Sequence, residues 1–351
     1  MSDLSVVSYF CTENDFMILC VFSLNPIPSL LAEFKKTFYL CVRQSETGNL
    51  FLLRTNGLPE PMITENMMDA KEATSAYRYA TALTIAGSDS CGGAGIQADL
   101  KTFSALGVYG MSAITAITAQ NTLGVRSIQA VNAKVLRDQI EAVFDDFTID
   151  AVKIGMLYEA ETVRIVAELL ERYRPSWVIV DPVMISTSGS KLLRDDAIAE
   201  IIGTLFPQAH LVTPNIPEAE YLSGIPVHLP QDMDQAAGRL LEMGCRAVLL
   251  KGGHLAGAQK TDRLYIPGQA PCQFTHETID TRNTHGTGCT LSSAIAAQLA
   301  LGYPLPEAVR EAETYLSEAI REGKEVMAGH GHGPVNHFYS PHKLVKRSVE
   351  K

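Results

Sequence analysis

Thr81-Ala82-Leu83-Thr84-Ile85-Ala86-Gly87-Ser88-Asp89-Ser90-Cys91-Gly92-Gly93-Ala94-Gly95-Ile96-Gln97-Ala98-Asp99 decides the architecture: an apolar strand enters a glycine-dense loop and then a helix. The alternation continues downstream. Strands are predicted at 82–86, 110–118, 151–154, 177–180, 211–213 and 247–251, and helices at 96–105, 133–144, 159–173, 195–205, 217–223 and 232–243. Two further helices, 290–301 and 305–322, close the domain. Short apolar runs alternating with amphipathic helices are the mark of a parallel sheet covered on both faces.

Upstream the texture changes. Residues 1–78 hold short apolar runs at 17–24, 38–42 and 50–53 without a sustained period, then a polar stretch at 64–75. They read as an extension, either a small β-rich appendage or a poorly ordered segment from an upstream start, and are expected to be dispensable. Met67 and Met68 are natural starts for a compact domain spanning 79–345.

The chain has 351 residues, 46% hydrophobic and 19% charged, enough for one large α/β domain and an appendage. A formal net charge of -10 repels nucleic acid and anionic lipid, so local amides, lysines or metal must hold any phosphate. Seven cysteines, Cys11, Cys20, Cys41, Cys91, Cys245, Cys272 and Cys289, are scattered without a C-x-x-C pair, which suits a reducing compartment. The apolar run 16–24 is too short to span a bilayer, and a cytoplasmic protein is expected.

The strongest chemical signal is Asn283-Thr284-His285-Gly286-Thr287-Gly288-Cys289-Thr290, followed by a helix of small residues. A glycine-rich turn entering a helix aims free N–H groups and the positive end of the dipole at one point, which suits a phosphate. A turn with no ligand is the plain alternative. Cys289 falls in the first turn, where a thiol pKa drops below its free value of about 8.5, so it is a candidate base. A small buried hydrophobe is the commoner fate of such a cysteine.

In the first loop, Gly93 to Ala98 matches G-x-G-x-x-A, but the loop is too long and no acid follows at the required distance for a dinucleotide site. The glycines instead let the chain close around a small planar ligand, with Asp99 as a hydrogen-bond partner. Gln120, at the end of an apolar strand, can donate and accept as a pyrimidine edge requires, whereas Asn121 and Thr122 read as turn caps. Asp181, Asn215 and Glu218 offer hard oxygens at strand ends, suited to Mg²⁺; an N-cap role is the alternative for Asn215, and Glu220 reads as a helix-face acid. Lys251, in Lys251-Gly252-Gly253-His254, ends a strand where its ammonium can reach a transferring phosphate. No Walker motif is present. The histidines of 330–337 read as a surface or subunit contact before a metal site.

Together these segments resemble the hydroxymethylpyrimidine/phosphomethylpyrimidine kinases of thiamin synthesis, within the ribokinase-like superfamily. The match runs from about Ala82 to His337, with A-G-S-D-S-x-G-G-A-G-I-Q-A-D-L-K, T-A-Q-N-T, K-I-G-M, D-P-V-M, T-P-N-x-P-E-A-E, K-G-G-H and N-T-H-G-T-G-C-T in family order. The resemblance implies a three-layer α/β/α fold with a mostly parallel central sheet. It implies ATP and Mg²⁺ as cofactors and two successive transfers, to the hydroxymethyl oxygen and then to the resulting phosphate. Gly87, Asp99, Gln120, Met156 and Val183 would line the pyrimidine pocket. Asp181 and Glu218 would manage Mg²⁺, partly through water, and with Asn215 and Thr287 the ATP phosphates. Lys251 would approach the phosphates, Gly286 and Gly288 would form the anion hole, and Cys289 would stand where sugar kinases of the superfamily carry Asp. The partners expected are the small pyrimidine and ATP, with no nucleic acid or membrane, in a homodimer. A pyridoxal or pyridoxine kinase is the closest rival, disfavoured by Gln120, Met156 and a 185–190 lid without Cys. A catalytically idle pyrimidine-binding regulator is the other, disfavoured because Lys251, Gly286, Gly288 and Cys289 are all retained.

Overall fold

The computed structural model describes residues 77–184, 192–253 and 259–348, together with four strands upstream. The chain divides into two compact units, Met1–Thr74 and Ser75–Lys351. In the first, β1 (Ser5–Ser8), β2 (Phe16–Phe22), β3 (Leu40–Gln44) and β4 (Leu50–Leu52) form an antiparallel meander.

The second unit opens with β5 (Tyr77–Tyr79), β6 (Thr81–Asp89), α1 (Gly95–Ala105), β7 (Tyr109–Asn121), β8 (Gly124–Ala130) and α2 (Ala133–Asp146). There follow β9 (Ala151–Ile154), α3 (Ala160–Tyr173), β10 (Val178–Val180), α4 (Asp195–Glu200), β11 (Leu211–Val212), α5 (Ile216–Ser223) and α6 (Pro230–Glu242). The chain then runs through β12 (Val248–Leu250), β13 (Gln259–Tyr265), β14 (Cys272–Glu277), α7 (Thr287–Ala300), α8 (Leu305–Gly323) and β15 (Lys346–Ser348).

Nine strands form one sheet in the order β14-β13-β12-β11-β10-β9-β6-β7-β8. From β12 to β7 the pairing is parallel, and β8, β13 and β14 are antiparallel additions at the edges. Every residue of β9, β10 and β12 is buried, as a strand covered on both faces requires. Helices α2 to α6 build one apolar layer, and α1, α7 and α8 the other. The order is the three-layer α/β/α architecture expected. The edge strands β8, β13 and β14 were not anticipated. Half-exposed strands alternate polar with apolar residues and so carry no apolar run. The short antiparallel pair β5 and β15 extends the compact unit on both sides of 79–345.

Helix α7 is buried from Thr290 to Ala300, and its alanines and serines let it lie close to the sheet and to α8. That depth carries its first turn to the carboxyl ends of β6, β10 and β12. No helix among the described residues is long and apolar enough to cross a membrane, and Cys91, Cys245, Cys272 and Cys289 are free thiols.

Candidate active site

One cavity of about 900 Å³ opens along the carboxyl ends of the parallel strands, where open α/β sheets hold their ligands. The two glycine-rich loops interlock at its floor. Gly286, the residue before α7, takes φ 80°, and a methyl group there would overlap the Gly93 carbonyl oxygen, so only glycine fits. The next residues start α7, and helix geometry leaves the Gly288 and Cys289 N–H groups without intrahelical acceptors. They carry the positive end of the dipole into the cavity.

The carboxy-terminal tail holds this loop from behind. The His285 N–H donates to the Gly333 carbonyl at 3.0 Å, and the Asn283 carboxamide donates to the Gly323 and Val326 carbonyls, each at 2.7 Å. The same tail reaches the β7–β8 turn, where the Gly331 N–H donates to Thr122 Oγ1 at 3.1 Å.

Charge is concentrated beside the first turn of α7. Lys251 Nζ lies 3.2 Å from Asp181 Oδ1, which also accepts from Thr213 Oγ1 at 3.1 Å. Ser292 Oγ donates to the other oxygen of Asp181 at 3.2 Å. Burial alone would raise the Asp181 carboxyl, but the ammonium groups of Lys251 and Lys153 outweigh it and hold the acid below the usual carboxylate range. Burial opposes the charge on Lys251 too, and Asp181 and Glu218 overcome it and raise its pKa. Behind them Lys153, fully buried in β9, donates to both oxygens of Asp99 at 2.9 Å. Asp99 is equally buried and also accepts from Thr84 and Ser293 hydroxyls.

Glu218 stands across from this cluster at the start of α5. Its Oε2 accepts from the Asn215 N–H at 2.9 Å, and Asn215 Oδ1 accepts from the Glu218 N–H at 2.9 Å, a reciprocal cap of the helix. Burial pushes the Glu218 carboxyl up to about 7, with Lys251 pulling it down and Asp181 pushing it further up.

Gly87, Met156, Val183 and Gln120 also line the cavity. Gln120 is half-buried; its Oε1 accepts from Thr118 Oγ1 at 3.2 Å, and its Nε2 lies 3.4 Å from His285 Nε2. His285 Nε2 is in turn 2.9 Å from Asp89 Oδ2. Apolar walls with a few fixed polar groups suit a small planar ring.

Comparison with known proteins gives the lineage. A family model described as phosphomethylpyrimidine kinase matches residues 89–336. A hydroxymethylpyrimidine/phosphomethylpyrimidine kinase of Rhizobium meliloti strain 1021 is 52% identical over 261 residues, covering 74% of this chain and 97% of the relative. The chain belongs to the phosphomethylpyrimidine kinase family. A solved phosphomethylpyrimidine kinase of Clostridium difficile 630 is 50% identical, covering 68% of this chain and 99% of that one, with a TM-score of 0.61. An ADP complex of Bacillus subtilis pyridoxal kinase gives a TM-score of 0.69 over 74% of this chain and 98% of that one, but only 35% identity. Backbone likeness thus spans both activities, and the sequence identity falls on the phosphomethylpyrimidine kinase side.

Of the residues singled out from the sequence, Gly87, Gln120, Met156, Asp181, Val183, Asn215, Glu218, Lys251, Gly286, Thr287, Gly288 and Cys289 all face the one cavity. Asp99 does not: α1 turns it toward the sheet, where it binds Lys153. The expectation of an acidified Cys289 is also corrected. Burial pushes its thiol up to about 11, with Lys153 pulling it down and Asp99 and Asp181 pushing it up, and this outweighs the helix start. Asn215 does cap its helix, Asn121 Oδ1 caps its turn by accepting from the Leu123 N–H at 2.9 Å, and Glu220 accepts from the Val227 N–H at 2.7 Å, closing the loop after α5. Among the tail histidines His337 is core, 3.1 Å from Thr290 Oγ1, whereas His330 and His332 are exposed. The 185–190 lid, His254 and most of 1–76 lie outside the described residues.

Sequence reading missed Lys153, Ser292, Ser293, Asp89 and His285. For Lys153 a signal existed: one charge in the otherwise apolar strand Ala151-Val152-Lys153-Ile154.

The Glu218 carboxyl gives a stability prediction. With its folded pKa raised from 4.5 to about 7, its contribution is complete below the ordinary value and is lost as pH rises through about 7. Measured from about pH 4 to pH 8, the thermal midpoint of the wild type is expected to fall relative to that of E218Q across that window, whatever the histidines of lowered pKa add to both. An unchanged slope in the variant would assign the titration to other groups.

Proposed function

We propose that this kinase transfers the γ-phosphoryl group of ATP to the hydroxymethyl oxygen of 4-amino-5-hydroxymethyl-2-methylpyrimidine, and then a second phosphoryl group to the monophosphate, in thiamin synthesis. The observation that carries the reading is convergence. A loop of anion-binding amides, a half-buried lysine and a thiol meet a half-buried carboxamide and an apolar ring slot in one cavity.

In the first transfer the hydroxymethyl oxygen bonds to the γ-phosphorus, the bond to the bridging oxygen of ADP breaks, and the hydroxyl proton passes to the Cys289 thiolate. In the second, an oxygen of the new phosphate is the nucleophile and needs no base. Lys251 and the amides of Gly286 and Gly288 face the charge on the transferred group in both, and positioning with electrostatic stabilisation supplies most of the rate. Asp181 and Glu218 fit Mg²⁺: both offer hard oxygens, and burial beside Asp181 leaves Glu218 poised for neutralisation by a cation. When bound there, the ion would neutralise ATP phosphate charge.

The direct test incubates the protein with ATP, Mg²⁺ and either hydroxymethylpyrimidine or pyridoxal and reads product mass. Mono- and diphosphate of the pyrimidine are expected; turnover of pyridoxal alone would replace this reading by a B6 kinase. Gln120 gives a finer test. Because it pairs with the ring, Gln120→Leu is expected to raise KM for the pyrimidine by about tenfold or more and KM for ATP little. Equal rises in both would reduce Gln120 to a structural part of the β7–β8 hairpin.

A further inference from the structure

Asp89, Cys91 and His285 meet where the two glycine-rich loops touch, and the transfer reaction uses none of them. A carboxylate oxygen, the thiol sulfur and an imidazole nitrogen all lie within 4.8 Å of one another. Asp89 is locked in place. Its Oδ1 accepts from the Cys91 N–H at 2.8 Å, and its Oδ2 from the Gly93 and Ala94 N–H groups at 3.1 and 2.9 Å. The same Oδ2 lies 2.9 Å from His285 Nε2, so of the carboxylate's roughly four lone-pair sites the one left free is on Oδ1. His285 is fixed too, by its backbone bond to Gly333 and by Gly93, whose missing side chain leaves room for the ring. Two donor atoms are therefore held by rigid outer partners, and the Cys91 side chain, half-buried on the turn, supplies the third. Sulfur, imidazole and carboxylate together suit Zn²⁺, whereas Mg²⁺ takes oxygen ligands alone.

We infer that Asp89, Cys91 and His285 form a site for a thiophilic divalent ion of the zinc type at the rim of the ring pocket, and that filling it inhibits the enzyme. The ion replaces the hydrogen bond between His285 and Asp89: at 2.9 Å that pair is too close to seat a metal between them, so imidazole and carboxylate part to bind it. Metal–sulfur, metal–nitrogen and metal–oxygen bonds form, the thiol proton leaves to solvent, the imidazole proton moves to Nδ1, and no oxidation state changes. A fourth position is open to water or to the Gln120 carboxamide, only 3.4 Å from the imidazole nitrogen, so the ion competes with the ring for Gln120. This inhibitory half rests on the proposed pyrimidine pocket; ion binding itself does not.

The test titrates Co²⁺ alone into the full chain and into Cys91→Ser. A near-ultraviolet thiolate-to-cobalt band is expected in the wild type and lost in the variant. No band, or one that survives in Cys91→Ser and so belongs to another thiol, overturns the site. Zn²⁺ is then added to the kinase assay at saturating ATP and Mg²⁺. Inhibition competitive with the pyrimidine is expected, and Cys91→Ser, with unchanged basal kcat, should need roughly tenfold more zinc or beyond. A Cys91-dependent cobalt band with zinc inhibition equal in both proteins would keep the ion site and overturn its link to the ring pocket.

Discussion

Cys289→Ala is expected to slow the first phosphoryl transfer by about 10² to 10⁴, the usual loss for a missing general base, and to affect the second much less. The asymmetry follows from the nucleophiles. A hydroxymethyl group must lose a proton as it is phosphorylated, whereas the monophosphate already carries an anionic oxygen. Because burial holds the thiol at about 11, the thiolate is scarce near neutrality and its fraction grows about tenfold per pH unit. The ratio of first-step to second-step rate in the wild type should therefore rise with pH, the Glu218 titration being common to both steps. Cys289→Ser keeps the size without the acidity and should lose both the rate and the rise. Single-turnover rates for each step, measured across pH in all three proteins, check this. Equal losses in the two steps would point to a disturbed anion loop, and no loss in either would leave Cys289 a packing residue.

Asp99→Ala is expected to cost about 3–5 kcal/mol of stability, because it strands the Lys153 ammonium in a fully buried position. Lys153→Met should cost a similar amount by stranding the carboxylate, although the Thr84 and Ser293 hydroxyls remain beside it. The double variant Asp99→Leu/Lys153→Met should recover much of the loss, since an apolar pair of similar volume removes both buried charges. Activity should not return with it. Lys153 is the group that draws the Cys289 thiol downward and helps to hold Asp181 ionised, and methionine does neither. Urea midpoints with kcat for the first step separate the outcomes: single variants as stable as the wild type would sink the buried-pair account, and a fully active double variant would sink the electrostatic one.

Much of the sheet was legible because strands buried on both faces must be apolar throughout, so β9, β10 and β12 announce themselves. Strands β13 and β14 were not, since their polar residues face solvent on one side and break every apolar run. At the site, the glycine loop and the polar strand ends could be read because their chemistry is local. Asp99 could not be placed that way. Its position one turn into α1 is visible, but the direction it faces depends on Lys153, 54 residues further along the chain. Cys289 failed for a related reason: a helix start is written in the sequence, whereas the depth at which α7 lies is a property of the packed layers around it.

The bond from His285 to Gly333 has a consequence for the order of biosynthesis. Synthesis proceeds from the amino terminus, so every residue that faces the cavity has been made before the backbone carbonyl that clasps the anion loop. The backbone clasp on the anion loop is therefore among the last contacts the chain can make. A ribosome that stops short of Gly333 releases a product that has its substrate-facing residues and the Asn283 bonds to Gly323 and Val326 but lacks the clasp on His285.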